Sequence, residues 1–352
     1  MDRKDLFPLN DDEPRPTTMK NEQNILVCGV NWIGDSVMSM PAIQMYRRNH
    51  PRARLTMLVK PPLRPLWSMH GAPDEILCME SGLAGTARTS MSVAQRSFRI
   101  AYVFPHSFRS ALIPFLARVP RRVGMPGHAR DFMLTDVVRR PEHMGKMHQS
   151  YEYKALMVPD ENEPLEPPVL TVPHDALAAA REHLQDVSSP VVALIPGAAR
   201  GMSKRWPAGH FARLGKKLLD EATAGVVLVG GPNEVALCRD IAERLDHHVV
   251  NLAGRLTVEC WIALLSACRV VVANDSGGMH VAAAVGTPLV ALYGMTDPER
   301  TGPLGVTCRI LQKSDRRDRD ISRHSVAARE CLAAIQPEEV YEAVIPYLRQ
   351  KS

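Results

Sequence analysis

The sequence has no close cysteine pair, no long apolar run and neither of two familiar phosphate-binding glycine motifs, and each absence removes a class of function. Its cysteines, at 28, 78, 238, 260, 268, 308 and 331, include no CxxC. An odd, scattered set of thiols points to the reduced state and away from a zinc module. No apolar run approaches the roughly 20 residues that a membrane-spanning helix needs. The stretch from Met1 to Pro8 lacks the apolar core of a signal peptide, so the chain is expected in the cytoplasm. No GxxxxGKS/T loop is present, which argues against an ATP-driven kinase. Gly29 and Gly34 follow the first apolar run but stand five apart, so GxGxxG is incomplete and a nicotinamide dehydrogenase is disfavoured.

What is present is a soluble, globular balance: 352 residues, 45% hydrophobic and 23% charged, enough for two domains of ordinary size. A net charge of +5 is compatible with an anionic partner but too mild to imply nucleic acid. The most informative stretch runs from Val270 to Gly294. Four apolar residues, the turn Asn274-Asp275-Ser276-Gly277-Gly278, an alanine-rich segment, Gly286-Thr287-Pro288 and a second apolar run spell a βαβ unit. The loop after the first strand of such a unit lies where α/β folds place their ligands. Ser276 and the two glycines would open the next helix, whose free amides and dipole favour a phosphate. Alternatively, Asp275 or Ser276 serves only as an N-cap.

The same rhythm recurs along the chain. Apolar runs at Asn24–Cys28, Leu55–Val59, Glu75–Cys78 and Arg99–Phe104 read as strands alternating with helices, which implies a parallel, right-handed, doubly wound sheet. Residues 105–148 are rich in charge, including Arg109, Arg118, Arg121, Arg122 and Arg130. They form either a solvated face or a basic wall for an acidic acceptor near an anionic membrane. His143 and His148 are five apart, which does not place them on one helical face, so no metal is expected between them. A proline-rich, acidic segment at 158–174 reads as an interdomain linker. The βα rhythm restarts at Pro190, with strands around 190–195, 225–231, 249–254, 270–274, 289–294 and 309–311, and 336–349 reads as a terminal amphipathic helix. Residues 313–324 are charged and expected to be exposed. The expected organisation is a flexible leader at 1–23, an acceptor-binding domain at 24–175, a nucleotide-sugar-binding domain at 176–335 and a C-terminal helix at 336–352.

Two glycine-bearing loops facing one cleft suggest that each half holds one ligand. Lys204 and Arg205, beside Trp206-Pro207, would supply positive charge for a diphosphate, unless they are surface charges. Glu234 stands where a carboxylate accepts hydrogen bonds from ribose hydroxyls, or it is an exposed glutamate at a helix start.

Several motifs in order carry a resemblance to a known family. These are Asn31-Trp32-Ile33-Gly34-Asp35 with Met40-Pro41-Ala42, then Pro196-Gly197, Lys204-Arg205-Trp206-Pro207, Gly230-Gly231, Asn251-Leu252-Ala253-Gly254 and Asn274-Asp275-Ser276-Gly277 with Met279-His280. Over about residues 24–311 the chain resembles the ADP-heptose:lipopolysaccharide heptosyltransferases. The resemblance implies an α/β fold of GT-B type, two Rossmann-like doubly wound domains facing a central cleft. It also implies inverting transfer of L-glycero-D-manno-heptose from ADP-heptose to the inner-core heptose on Kdo-lipid A, at the cytoplasmic face of the inner membrane. Asn31-Trp32 before Ile-Gly-Asp is closer to members that add the second heptose than to those that add the first. A member that adds the first heptose, a related GT-B transferase using another nucleotide sugar, and a noncatalytic module binding nucleotide or acidic lipid are the alternatives.

By the resemblance, Asp35 is the catalytic base and Lys204 the diphosphate-binding cation. Arg205, Glu234, Asp275, Ser276, Gly277, Gly278 and His280 join Lys204 around the donor. Asn31, Trp32, Arg109, Arg121, Arg122 and Arg130 are the expected acceptor contacts. Many relatives carry a cysteine-rich loop before the last helix, where this chain keeps only Cys308 and Cys331. No metal or other cofactor is expected.

Overall fold

The computed structural model describes residues 24–127, 129–140, 145–159, 163–199, 201–245, 249–305, 307–315 and 325–349. The expected leader at 1–23, most of the charged segment at 313–324, and His143 lie outside them.

The first half contains β1 (Asn24–Cys28), α1 (Ile33–Asn49), β2 (Arg54–Val59), α2 (Arg64–Ser68), β3 (Glu75–Cys78), α3 (Gly82–Ala94), β4 (Ile100–Val103), α4 (Phe108–Leu116), β5 (Arg121–Gly124), β6 (Asp136–Val137) and α5 (Ser150–Met157). After α6 (His174–Glu182), the second half contains β7 (Val191–Ile195), α7 (Ala208–Asp220), β8 (Gly225–Leu228), α8 (Val235–Glu243), β9 (Val250–Asn251), α9 (Val258–Ala267), β10 (Val270–Asn274), α10 (Gly277–Ala284), β11 (Leu289–Tyr293), α11 (Pro298–Thr301), β12 (Cys308–Gln312), α12 (Val326–Ala333) and α13 (Pro337–Arg349).

Among the described residues the strands form two six-stranded sheets of parallel pairs, ordered β3-β2-β1-β4-β5-β6 and β12-β11-β10-β7-β8-β9. Renumbering the second sheet from its own first strand gives the same order as the first. Each sheet therefore reverses direction once, beside its first strand, and that switch point is where a doubly wound fold opens a crevice for ligands. The inner strands are apolar throughout because helices cover both faces. Val191–Ile195, Val270–Asn274 and Leu289–Tyr293 are buried at every position. Around them the helices present one apolar stripe each: in α7, Phe211, Ala212, Leu214, Gly215 and Leu218 are buried at helical spacing.

The region between β4 and α5 differs from the sequence expectation of turns and loose charge. It supplies β5, a four-residue strand paired between β4 and β6 whose two arginines hid the pattern, and the two-residue edge strand β6. The extended segment before α6 bonds to both halves. Thr171 N–H donates to Met69 O at 2.8 Å, and Leu170 N–H donates to Ala284 O at 2.9 Å. A second bridge forms where Gln149 N–H donates to Arg300 O at 2.9 Å and His148 Nε2 donates to Gly302 O at 2.8 Å. One core cluster runs through both halves, from Ile25 and Tyr46 to Ile262 and Tyr293. Among the described residues no helix is long and apolar enough to cross a membrane.

Candidate active site

The carboxyl ends of both sheets border one cavity of about 450 Å³. The loop after β1 and the start of α1 contribute Trp32, Ile33, Gly34, Asp35 and Met38 to its wall. The loop after β7 contributes Ala199 and Lys204, the loop after β8 contributes Gly230, Gly231, Pro232 and Glu234, and the loop after β10 contributes Asp275 to Gly278.

Helices α1 and α10 enter this cavity in contact with each other. A Cβ on Gly34 would lie 3.0 Å from His280 Cδ2 and 3.4 Å from Gly277 Cα, and one on Gly277 would lie 3.3 Å from Gly34 N. Glycine at both places lets the backbones touch, so two helix N-termini open onto the same space. Ser276 is the N-cap of α10, and its side chain makes no capping hydrogen bond. Asp35 lies in the first turn of α1.

The adjacent pair Asn274 and Asp275 organises the opposite wall. The fully buried Asn274 side chain accepts from Trp206 N–H at 3.1 Å and donates to Pro196 O at 2.8 Å. The Trp206 indole is buried in turn, its Nε1 donating to Ile335 O at 2.9 Å. These bonds pin both ends of the loop that carries Lys204. Lys204 Nζ then meets Asp275 Oδ2 at 2.5 Å, with both side chains almost out of solvent at 12% and 7% exposure. Thr296 Oγ1 also donates to that carboxylate oxygen, and Gln312 Nε2 holds the Thr296 loop through its carbonyl at 2.8 Å. Asp275, expected to contact the donor, borders the cavity while its Oδ2 orients the cation.

Glu234 is held inward. Its Oε2 accepts from Gly231 N–H at 2.8 Å, and a Cβ on Gly197 would overlap the carboxylate at 1.7 Å, which is why that loop needs glycine. His280 is buried between α1 and α10, and burial pushes its imidazole down to about 4, so it is neutral at physiological pH. Asp275 opposes that shift, while His148 and Lys204 reinforce it.

Lys204, Glu234, Asp275, Ser276, Gly277, Gly278, His280, Asp35 and Trp32 are thus brought together, and several other expected residues are not. Arg205 turns back along its own loop, donating to Ala198 O at 3.3 Å. Asn31 is half-buried just before the cavity wall. Arg130 is completely buried between Gly124 and Gly127 and donates to Pro105 O, so its guanidinium holds the first sheet's outer loops together and is not part of an exposed basic wall. Arg121 pairs with Asp136 at 3.2 Å, and Arg122 Nε donates to Met133 O at 2.6 Å, both stitching β5 to its neighbours. Arg109 donates to Thr86 Oγ1 at 3.0 Å and borders a separate, shallower hollow. Sequence reading missed Gln149, Leu256, Thr257, Trp261 and Thr301, which complete the cavity. Only Thr257 carried a local signal, as the N-cap of α9 accepting from Cys260 N–H at 3.1 Å. Among the described residues no group of three or more His, Cys, Asp or Glu is arranged to hold a metal ion.

Two like-ordered doubly wound sheets, meeting at a cleft with a carboxylate on one wall and a cation with a helix N-terminus on the other, are the GT-B architecture. The family model for glycosyltransferase family 9 (heptosyltransferase) matches residues 87–329. The chain belongs to that family. It is 34% identical to lipopolysaccharide heptosyltransferase 2 of Escherichia coli (strain K12) over 82% of this chain and 87% of that one. It is 32% identical to lipooligosaccharide heptosyltransferase 2 of Haemophilus ducreyi over 83% and 89% of the two chains. The solved structure of E. coli ADP-heptose LPS heptosyltransferase II superposes with a TM-score of 0.80 at 31% identity, covering 93% of this chain and 98% of that one.

Proposed function

We propose that the chain transfers L-glycero-D-manno-heptose from ADP-heptose to the first heptose of the lipopolysaccharide inner core, with inversion, working in the cytoplasm against the inner face of the inner membrane. The observation that carries this reading is the shared cavity, where Asp35 from one half faces Lys204 and the start of α10 from the other. Both relatives above are named for heptose transfer to lipopolysaccharide or lipooligosaccharide, and the similar solved structure is that of an ADP-heptose LPS heptosyltransferase.

The chemistry follows from the two walls. An acceptor hydroxyl oxygen forms a bond to the anomeric carbon as the bond from that carbon to the ADP oxygen breaks. The hydroxyl proton passes to the Asp35 carboxylate, which acts as general base. The leaving ADP departs with the bonding electrons, and its growing charge meets the Lys204 ammonium and the free amides at Ser276, Gly277 and Gly278. Asp275 and Thr296 orient Lys204, so the cation is in place before the reaction begins. Glu234, held beside the glycines after β8, is placed to accept hydrogen bonds from the ribose hydroxyls. The neutral His280 packs beside Gly34 where the two helices meet, without adding a second positive charge.

A mass-spectrometric transfer assay tests the reading, using ADP-heptose with acceptors bearing zero, one or two heptoses. Product is expected from the one-heptose acceptor. Product from the heptose-free acceptor alone would move the chain to the first step, and no product from any of the three would sink the proposal.

A further inference from the structure

The outward faces of α3 and α4 carry apolar side chains where a surface helix normally carries polar ones. In α4, Phe108, Leu112, Phe115 and Leu116 recur at helical spacing, and Leu83 and Met91 stand on α3 beside it. Phe132, in the turn before β6, lies 6.5 Å from the Phe108 ring and 6.0 Å from the Phe115 ring. Leu83, Met91, Phe108, Phe115, Leu116 and Phe132 are 37–89% exposed, so the cluster is a continuous apolar ridge in contact with water.

The ridge stands in the most basic part of the chain. Residues 80–140 contain ten arginines against Glu80, Asp131 and Asp136, a formal +7 compared with +5 for the whole protein. Of these arginines, Arg130 is buried and Arg96 and Arg140 pair with Glu75 and Glu152 outside the stretch, while Arg109, Arg118 and Arg122 stand beside the ridge. The Arg122 guanidinium lies 5.6 Å above the Phe115 ring, and Arg118 is exposed just beyond the end of α4. Exposed aromatic and leucine side chains interleaved with arginines match the boundary between acyl chains and anionic headgroups. A second copy of the chain would bring Arg109, Arg118 and Arg122 against the same arginines across this face, which disfavours self-association through it.

We propose that this ridge, formed by α3, α4 and Phe132, is the face with which the protein lies against a bilayer carrying anionic headgroups. The proposal deepens the membrane-associated part of the reading above by assigning it a surface. The N-terminal ends of α3 and α4 follow β3 and β4, so Leu83 and Phe108 stand at the carboxyl edge of the first sheet, the edge that also carries Asp35. A lipid-anchored acceptor held at that bilayer therefore starts from the same edge as the cleft.

Flotation of the full chain with vesicles tests this without nucleotide sugar or acceptor, so failure here and failure of the transferase reading are separable. Vesicles of phosphatidylcholine with about a third phosphatidylglycerol should carry the protein up the gradient, and raised salt should release it. The variant Phe108→Ser/Phe115→Ser/Phe132→Ser should bind at least about tenfold more weakly while keeping its melting temperature and ADP affinity. If the triple variant melts early, Phe132→Ser alone, at an exposed turn position, should still weaken binding several-fold. Equal binding to pure phosphatidylcholine, undiminished binding by the variants, or no binding by the parent chain would each overturn the proposal. So would a sedimentation dimer that the variant disperses, which would make the ridge a self-association face.

Discussion

Gly34 of α1 and Gly277 of α10 touch backbone to backbone, joining the two halves of the molecule at the mouth of the cavity. The contact sets the separation between Asp35, one residue beyond Gly34, and the amides that open α10. Two helices from different sheets can meet this closely only where neither carries a Cβ.

Gly34→Ala should therefore harm turnover more than stability. Alanine gains roughly 1 kcal/mol of helix propensity over glycine, while overpacking costs about 1–3 kcal/mol, so the net change in folding is small. The added methyl group, 3.0 Å from His280 Cδ2, must move one helix by a few tenths of an ångström. Displacements in a catalytic cleft are amplified in rate, and kcat/KM should fall at least about tenfold. Steady-state kinetics beside a urea melt checks this, and unchanged kinetics would show that the helix spacing does not matter.

The ion pair between Lys204 and Asp275 should behave as a single unit. Removing either partner leaves a buried charge without its counter-ion, at a cost of about 3–5 kcal/mol. Lys204→Met and Asp275→Asn should each destabilise the fold by that order, and the double variant should lose far less than the sum. Urea unfolding of the four proteins gives the coupling directly. Additive losses would mean that the two side chains do not support each other.

The parts of the site legible in the sequence were those encoded by neighbours along the chain. The Val270–Gly294 stretch announced β10, α10 and β11 because an apolar run, a turn and an alanine-rich segment are local features. The Lys204–Asp275 contact joins residues 71 apart, and no spacing rule connects them. The basic stretch after β4 misled for another reason. Its arginines were read by charge alone, whereas Arg130 is buried, Arg121 is ion-paired within the sheet and Arg122 bonds backbone carbonyls. Arginine's long stem and planar donors allow a structural use that a charge count cannot distinguish from a ligand-binding one. The same charge masked β5 and β6, too short for a period-two pattern to stand out.

Acid should weaken the fold through its buried histidines. Burial holds His280 and His70 down to about 4 from an ordinary 6.5. Between those limits the unfolded chain binds more protons than the folded one, so stability rises with pH across the window and is lost as pH falls from about 6.5 towards 4. Each group contributes roughly 3 kcal/mol when the whole window is crossed. Unfolding free energies measured from neutral pH down to pH 4 should decline, and His280→Gln should decline less steeply. A parallel decline in both proteins would remove His280 as a cause.

Asp35 and Lys204 should separate chemistry from binding. If Asp35 takes the acceptor proton, Asp35→Asn keeps the side chain's size and loses its basicity, so kcat should fall by about 10²–10⁴. Asp35 stands on the first half's wall while the Lys204 ammonium and the α10 amides stand on the second, so ADP affinity in Asp35→Asn should stay within about twofold of the parent. Lys204→Met removes the cation itself, and both ADP affinity and kcat should drop, the latter because charge on the departing diphosphate is greatest in the transition state. Calorimetric titration with ADP beside the transfer assay distinguishes the two residues. Full turnover by Asp35→Asn would remove it as the base, and unchanged ADP affinity in Lys204→Met would place the diphosphate elsewhere in the cleft.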